Sequence, residues 1–479
     1  MKRALHLLLV LSLLSVPAFA QPKAGAKRQF RAGAATSNIT PPIGGNIVGG
    51  FNPFPSTHVH DDLHARCLVM DNGETRLALV VCDLLGADRV VYDEARRLVH
   101  EETGLPKANL LMSSTHTHSA VSALGANRFA YKQELDDYQK FVARRIADGV
   151  RRAINNLAPA RVGWAVGHNA NQVFNRRWFM KPGAVPTNPL GGQDEVKMNP
   201  PRGSKDLVKP AGPVDPEIVM LAVQSPEGRP IALFANYSLH YVGGVGNGHI
   251  SADYFALFCD RMQQLVGADR QDPPFVAMLS NGTSGNINNI DFTKPAEKLP
   301  PYAKMRAVAD DVAQSAYQAY QTIQYRDWAP LGAQFEEIEV GTRRPTPQQL
   351  ERAQGIMARP KPAKARAATL EEIYAERTLR MSEWPAKIPI PLQALRVGDF
   401  AITTMPCEIF VEIGLELKQK NPFKPSCTVS ISHGYFGYLP TPEHHQLGGY
   451  ETWLGTNRLE VDASTKMAAR LLEMLGRLK

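Results

Sequence analysis

Past its first twenty residues the chain has no apolar run long enough to span a membrane. The early run, "ALHLLLVLSLLSV", is about thirteen residues, short of the roughly twenty that a spanning helix requires. It follows Lys2 and Arg3 and ends in the small-x-small "AFA" at Ala20, the layout of an export signal. The expectation is a signal peptide over residues 1–20, cleaved after Ala20, and a secreted or periplasmic mature protein; an uncleaved N-terminal anchor is the alternative. Cysteine is scarce. Cys67, Cys82, Cys259, Cys407 and Cys427 are odd in number and widely spaced, which argues against a disulfide scaffold or a CxxC metal knuckle. Cys67 and Cys82 sit in apolar runs and read as buried thiols, with room for one disulfide in an oxidising compartment. No basic-aromatic pattern suggests nucleic acid. The formal charge of +8 falls to +6 without Lys2 and Arg3, an excess that favours an anionic membrane surface, although the basic residues are scattered. No internal repeat is visible.

What is present is an ordinary globular composition, 44% hydrophobic and 21% charged. Apolar β-rich runs recur at 64–70, 76–85, 109–114, 217–223, 230–238, 275–280, 400–406 and 427–432. Continuous runs of this kind suit strands covered on both faces. Helical patterns lie between several of them. In 134–157, Leu135, Tyr138, Phe141, Val142, Ile146, Val150, Ile154 and Leu157 fall on one stripe, and 305–323 and 465–478 are similar. Strands alternating with helices predict an α/β layered fold with a mixed sheet, flanking helices and long loops. Residues 31–479 read as one domain. The Pro- and Gly-rich stretch 180–216 predicts an irregular loop, and "ARPKPAKARAA" (358–368) a solvated insertion.

Functional groups in layered α/β proteins gather in loops beyond strand ends. "LLMSSTHTHSA" (110–120) puts His116 and His118 two apart after a strand-like run. On an extended chain such residues share a face, so both imidazoles converge. The pair is either a metal site or two polar residues closing an edge strand. Other strand ends carry His240 and His249, the amide-rich "NGTSGNINNID", Glu408, and a segment with Tyr438 and Tyr450. His116, His240 and Glu408 would give zinc a three-ligand set with a position left open for water. Taken singly, each reads first as a capped or hydrogen-bonded loop residue; it is the three together, at comparable strand ends, that point to a metal.

Together these segments resemble the neutral (non-lysosomal) ceramidase family. "STHTHS" resembles its G-T-H-T-H-S-G, "FNRRW" its N-R-S, "FANYSLH" its W-F-x-x-H and "MPCEIF" its P-G-E-F/L. "GYLPTPEHHQLGGYE" is similar to its Y-x-T-T-x-E-E-Y-x-x-x-x-Y-E. The resemblance implies a zinc-dependent amidase that cleaves N-acyl sphingosine. It implies His116, His240, Glu408 and Tyr438 as zinc ligands, and His118, Arg176 and Tyr450 as groups facing the scissile amide. His118 would act as general base, while Tyr450 and Arg176 would stabilise the oxyanion.

Two departures accompany the resemblance. Asn286 and Asn288 stand where the family has Asp and Ser, which argues against a serine nucleophile and leaves a zinc-water route; Ser284 does not inherit the role. The chain also ends soon after Tyr450, where family members carry a further β-sandwich domain. A zinc hydrolase of a different amide or ester is therefore the second reading, and a non-catalytic lipid- or envelope-binding protein the third. His249, Asp253 and Asp83 are candidates for orienting the ligands or plain turn residues, and His58, His60 and His64 read as structural or rim residues. His444 and His445 read as loop residues near the site mouth.

Overall fold

The computed structural model describes residues 28–360 and 367–479; the export signal predicted over 1–20 and part of the 358–368 tract lie outside the described residues. Strands β1 (Arg31–Asn38), β2 (His64–Asp71) and β3 (Arg76–Cys82) form an antiparallel meander. Helix α1 (Arg89–Thr103) then carries the chain back to β4 (Leu110–Ser114), which pairs with β3 in parallel. Ala158–Pro159 adds a short strand on the outer edge of β1. Asp88 caps α1 by accepting from the Val90 amide, and Gly104 ends the helix at φ 70°, a left-handed turn that glycine adopts freely. Helix α2 (Asp137–Asn155) follows, opened by an Asp136–Gln139 capping box.

The second sheet repeats this plan. Strands β5 (Arg161–His168), β6 (Glu217–Gln224) and β7 (Pro230–Tyr237) are antiparallel, helix α3 (Asp253–Leu265) crosses over, and β8 (Val276–Asn281) joins β7 in parallel. Helix α4 (Ala303–Tyr320) follows. The third sheet has β9 (Leu331–Gly341), β10 (Lys387–Val397) and β11 (Phe400–Thr404), with α5 (Leu370–Ser382) between the first two. Crossover helix α6 (Val411–Lys420), parallel strand β12 (Ser426–Val429) and a closing α7 (Ala463–Gly476) complete it. A parallel neighbour requires a crossover, and α1, α3 and α6 supply one per sheet. The architecture thus has a threefold repeat of element order. The sequence shows none because any apolar residues in the right places satisfy the pattern.

The three sheets share one apolar core. Leu68, Val81 and Leu111 of the first meet Val219, Phe234 and Met278 of the second and Leu395, Ile402 and Val429 of the third, all buried. The opposite faces pack on helices: Val80 with Val91 and Val150, Leu233 with Phe258 and Val312, Ala401 with Leu417 and Leu471. This double cover is why these strands read as unbroken apolar runs. All five cysteines are free and buried. The 180–216 stretch departs from the predicted loop: Val196–Met198 and Leu207–Pro210 flank Arg177–Met180 in a small antiparallel sheet. Strands of only three or four residues are too short to show a hydrophobic period.

Candidate active site

Within each sheet the two parallel strands end on the same edge, so their exit loops lie side by side. Leu85 follows β3, His116 follows β4, His240 follows β7, Ser284 follows β8, Glu408 follows β11, and Tyr435 and Tyr438 follow β12. His116 sits at φ 73°, a left-handed conformation uncommon for a side-chain-bearing residue, with its amide bonded to the Leu84 carbonyl at 2.9 Å. Its Nδ1 lies 2.7 Å from the Leu85 carbonyl, and the Nδ1 of His240 lies 3.0 Å from that of Ser284. A carbonyl can only accept, so both rings donate from Nδ1, which leaves Nε2 of each as the atom that can ligate. Those two Nε2 atoms face one carboxylate oxygen, Glu408 Oε2, at 3.2 and 3.6 Å. His118 Nε2 stands 3.0 Å from His116 Nε2.

Donor atoms of His116, His118 and His240 all lie within 4.8 Å of one another, so the group can bind a metal ion. His240 Nε2 and Glu408 Oε2 are buried, and neither has a hydrogen-bond partner among the described residues. Each unmet buried group costs about 1–3 kcal/mol. Lone pairs and carboxylate oxygens aimed at a common point are what a cation satisfies. The donor set therefore fits one.

The other Glu408 oxygen accepts from the Tyr435 hydroxyl at 2.6 Å, and Tyr438 also hydrogen-bonds this carboxylate. Burial works to raise the Glu408 carboxyl, but His116 and these hydrogen bonds hold it below its ordinary value. Burial, then the neighbouring His116 and Arg176, drives His118 well below the usual histidine range. His240 is driven the same way, by burial and then Arg176 and His116. Burial raises Tyr438 well above the ordinary phenol, with Arg176 opposing.

One cavity of about 220 Å³ is lined by His116, His118, Arg176, Glu408, Tyr438 and Tyr450; His240 is not among its lining residues but touches His116 and Glu408, which are. The structure thus brings all seven predicted site residues together. His118 stacks on Tyr241 with ring centres 3.7 Å apart. Arg176 gives Nε to Glu451 Oε1 at 3.0 Å and Nη2 to the Gly285 carbonyl at 2.7 Å, and its guanidinium lies 5.3 Å from the Tyr438 ring centre. Arg177 binds the other Glu451 oxygen at 2.8 Å, so one fully buried carboxylate anchors both arginines. Tyr450 meets Tyr438 edge-on at 5.7 Å.

The remaining candidates have other occupations. Asp83 accepts from the His64 amide at 3.0 Å and pairs with Arg66 at 3.5 Å, away from the imidazoles. Asp253 accepts from the Val242 and Gly243 amides and so pins the loop that follows His240. His249 bonds the Tyr302 hydroxyl and contacts His58, outside the cavity. Asn286 holds the Val411 amide at the start of α6, and Asn288 bonds Asn199 at 2.8 Å. Ser284 lends its carbonyl to His240. Sequence reasoning missed Tyr435, Glu451 and Tyr241. The position of Tyr435, three residues before Tyr438 in "GYFGY", was the one available signal for it.

A family model described as neutral/alkaline non-lysosomal ceramidase, N-terminal, matches residues 30–294, more than half of the chain. The chain belongs to that family. His116, His118, Arg176 and His240 lie inside the matched span of this ceramidase-family chain; Glu408, Tyr438 and Tyr450 lie beyond it. Among solved structures, "Crystal Structure Analysis of neutral ceramidase from Pseudomonas aeruginosa" has the same fold, with a TM-score of 0.68 at 16% identity over 95% of this chain and 75% of that one. "Ceramidase complexed with C2" gives a TM-score of 0.69 at 15% identity, over 94% and 75%. A search of curated proteins finds no match.

Proposed function

We propose that this member of the ceramidase family is an exported zinc-dependent amidase that hydrolyses the N-acyl bond of ceramide or a related N-acyl lipid. The observation that carries the reading is the pair of buried atoms His240 Nε2 and Glu408 Oε2, without a hydrogen-bond partner among the described residues and 3.6 Å apart, with the Nε2 of His116 3.2 Å from the same carboxylate oxygen. His116, His240, Glu408 and Tyr438 would hold the zinc, whose chemistry when bound is Lewis acidity and the lowering of the pKa of water to about 7. His118 Nε2 faces the same point from the cavity wall, where it takes a proton and returns it to the leaving amine. Tyr450 lines the cavity and offers its hydroxyl to the developing oxyanion. Arg176, two of its nitrogens committed, holds Tyr438 in place and adds positive charge beside the amide.

A second cavity, about 250 Å³, adjoins the first through Phe51, Met198 and Tyr450 and is lined by Val185, Val196, Leu370 and Trp453. Its apolar wall suits an acyl chain. Fatty-acid release from a short-chain ceramide tests the reading, run with and without a zinc chelator beside a Glu408→Ala control. Chelator-sensitive release, absent in the control, is the expected result. Stoichiometric zinc without release of fatty acid from any amide would sink it.

A further inference from the structure

Three guanidinium groups crowd one aromatic ring on the wall of the catalytic cavity. The central carbons of Arg128, Arg377 and Arg458 lie 5.4, 4.7 and 4.8 Å from the ring centre of Phe129. All three arginines line the cavity that holds His118 and Glu408. Arg176 and Arg177 share Glu451, but among the described residues none of these three has a carboxylate within ion-pair distance. The acid that acts on Arg458 is Asp88, beyond that distance and engaged in capping α1.

Hydrogen bonding does not discharge the cluster either. Arg128 donates to the Val48 and Gly50 carbonyls, and Arg377 to Thr456 Oγ1 at 3.1 Å. Arg377 and Arg458 are only 6% and 4% exposed, and the Nε of each is buried without a partner among the described residues. Aromatic faces cover the guanidinium planes: Tyr374 and Phe51 for Arg377, Trp384 and Tyr435 for Arg458. A π face accepts no in-plane N–H bond, so the N–H groups of Arg377 and Arg458 beyond the Thr456 bond have no acceptor among the described residues. Burial, with repulsion from Arg377 and Arg128, pulls Arg458 down to about 10. Buried like charges of this kind are costly unless something supplies the counter-charge. A planar guanidinium edge matches the oxygens of carboxylate, sulfonate or phosphate.

The position of the cluster says which molecule brings that charge. Arg458 lies 5.4 Å from the Tyr435 ring centre, and the hydroxyl of that ring bonds Glu408. One tyrosine separates the guanidinium from the carboxylate at the metal centre. We propose that Arg128, Arg377 and Arg458 bind an oxyanion carried by the substrate a few bonds from its scissile amide, which makes anionic N-acyl amides the preferred substrates over neutral ceramide. For turnover this rests on the amidase reading; for binding it does not.

The test compares kcat/KM for N-octanoylglycine, N-octanoyltaurine and a short-chain ceramide 1-phosphate with that for neutral N-octanoylethanolamine, the three anionic arms identifying the oxyanion. At least one should exceed the neutral amide by about tenfold, the scale of one charge-assisted contact, and Arg377→Gln or Arg458→Gln should cut that ratio by about as much. Equal rates on neutral and anionic amides, or a ratio unmoved in both variants, would overturn the proposal while leaving an amidase. Calorimetric binding of N-octanoyltaurine, N-octanoylglycine and ceramide 1-phosphate covers the converse. Binding of any of them that is lost in Arg458→Gln supports the anion site even if no amide is cleaved, and absence of binding by all three in the wild type rejects it.

Discussion

Tyr435 shows how much of this site is carried by residues that hold other residues. Its hydroxyl fixes Glu408 Oε1 at 2.6 Å and so leaves Oε2 to face the two imidazoles. In Tyr435→Phe the ring stays and only that restraint goes. Loss of a partner of a metal-binding carboxylate typically costs 10–100-fold in metal affinity or activity. The expected outcome is zinc affinity weakened by about tenfold, read by competition with a metal buffer; affinity within twofold of wild type would show that Glu408 is held without it. Residues such as His116, His240 and Glu408 were legible because their side chains announce their chemistry. The Leu85 and Ser284 carbonyls that orient the imidazoles were not, since every residue has a carbonyl. The three arginines around Phe129, without a carboxylate partner among the described residues, were hidden for a different reason: an arginine normally reads as a solvated charge.

Between elements, His433 is the joint that responds to pH. It follows β12 at φ 61° and is buried. Arg96 on α1 lies 2.8 Å from its Nδ1, and Gln393 Oε1 on β10 lies 3.0 Å from its Nε2. Arginine can only donate, so Nδ1 accepts and the ring is neutral. Burial, with Arg96 and Arg89, places this histidine well below its ordinary value. The folded protein therefore binds fewer protons here than the unfolded chain does below about pH 6.5. Stability from this site is complete above that pH and is lost as the pH falls, at up to about 1.4 kcal/mol per unit. His433→Asn keeps an acceptor for Arg96, tolerates the left-handed backbone and cannot titrate. Its melting temperature should fall less than that of wild type between pH 7 and 5; parallel curves would remove His433 from the acid response. Elements were read most accurately where burial is two-sided, as in β6 and β7, or where a stripe is unambiguous, as with Val142, Ile146 and Val150 of α2. Phe141 of the predicted stripe is 40% exposed, because a wide apolar stripe outruns the face that the sheet covers.

At the scale of the whole molecule, the threefold plan explains why residues more than a hundred positions apart meet. Each sheet sends the loops of its two parallel strands to one edge, and the common core fixes the three edges against one another. The first sheet contributes His116, the second His240, and the third Glu408 and Tyr438. A metal ion held by these four would cross-link all three sheets at the place where their chains exit. Its binding energy would then add to the stability of the whole fold, because the unfolded chain has no such site. At a hundredfold excess over Kd the gain is about 2.7 kcal/mol, enough to move the melting temperature by a few degrees. Calorimetric melting of zinc-loaded and chelator-treated protein should show that difference in the wild type. His240→Ala removes the contribution of the second sheet and leaves His116 and Glu408 in place; its melting temperature should be lower and nearly indifferent to zinc. If zinc raised the stability of wild type and variant equally, the stabilising ion would be bound elsewhere, and the three sheets would be held together without it, by their apolar core and the hydrogen bonds between their exit loops.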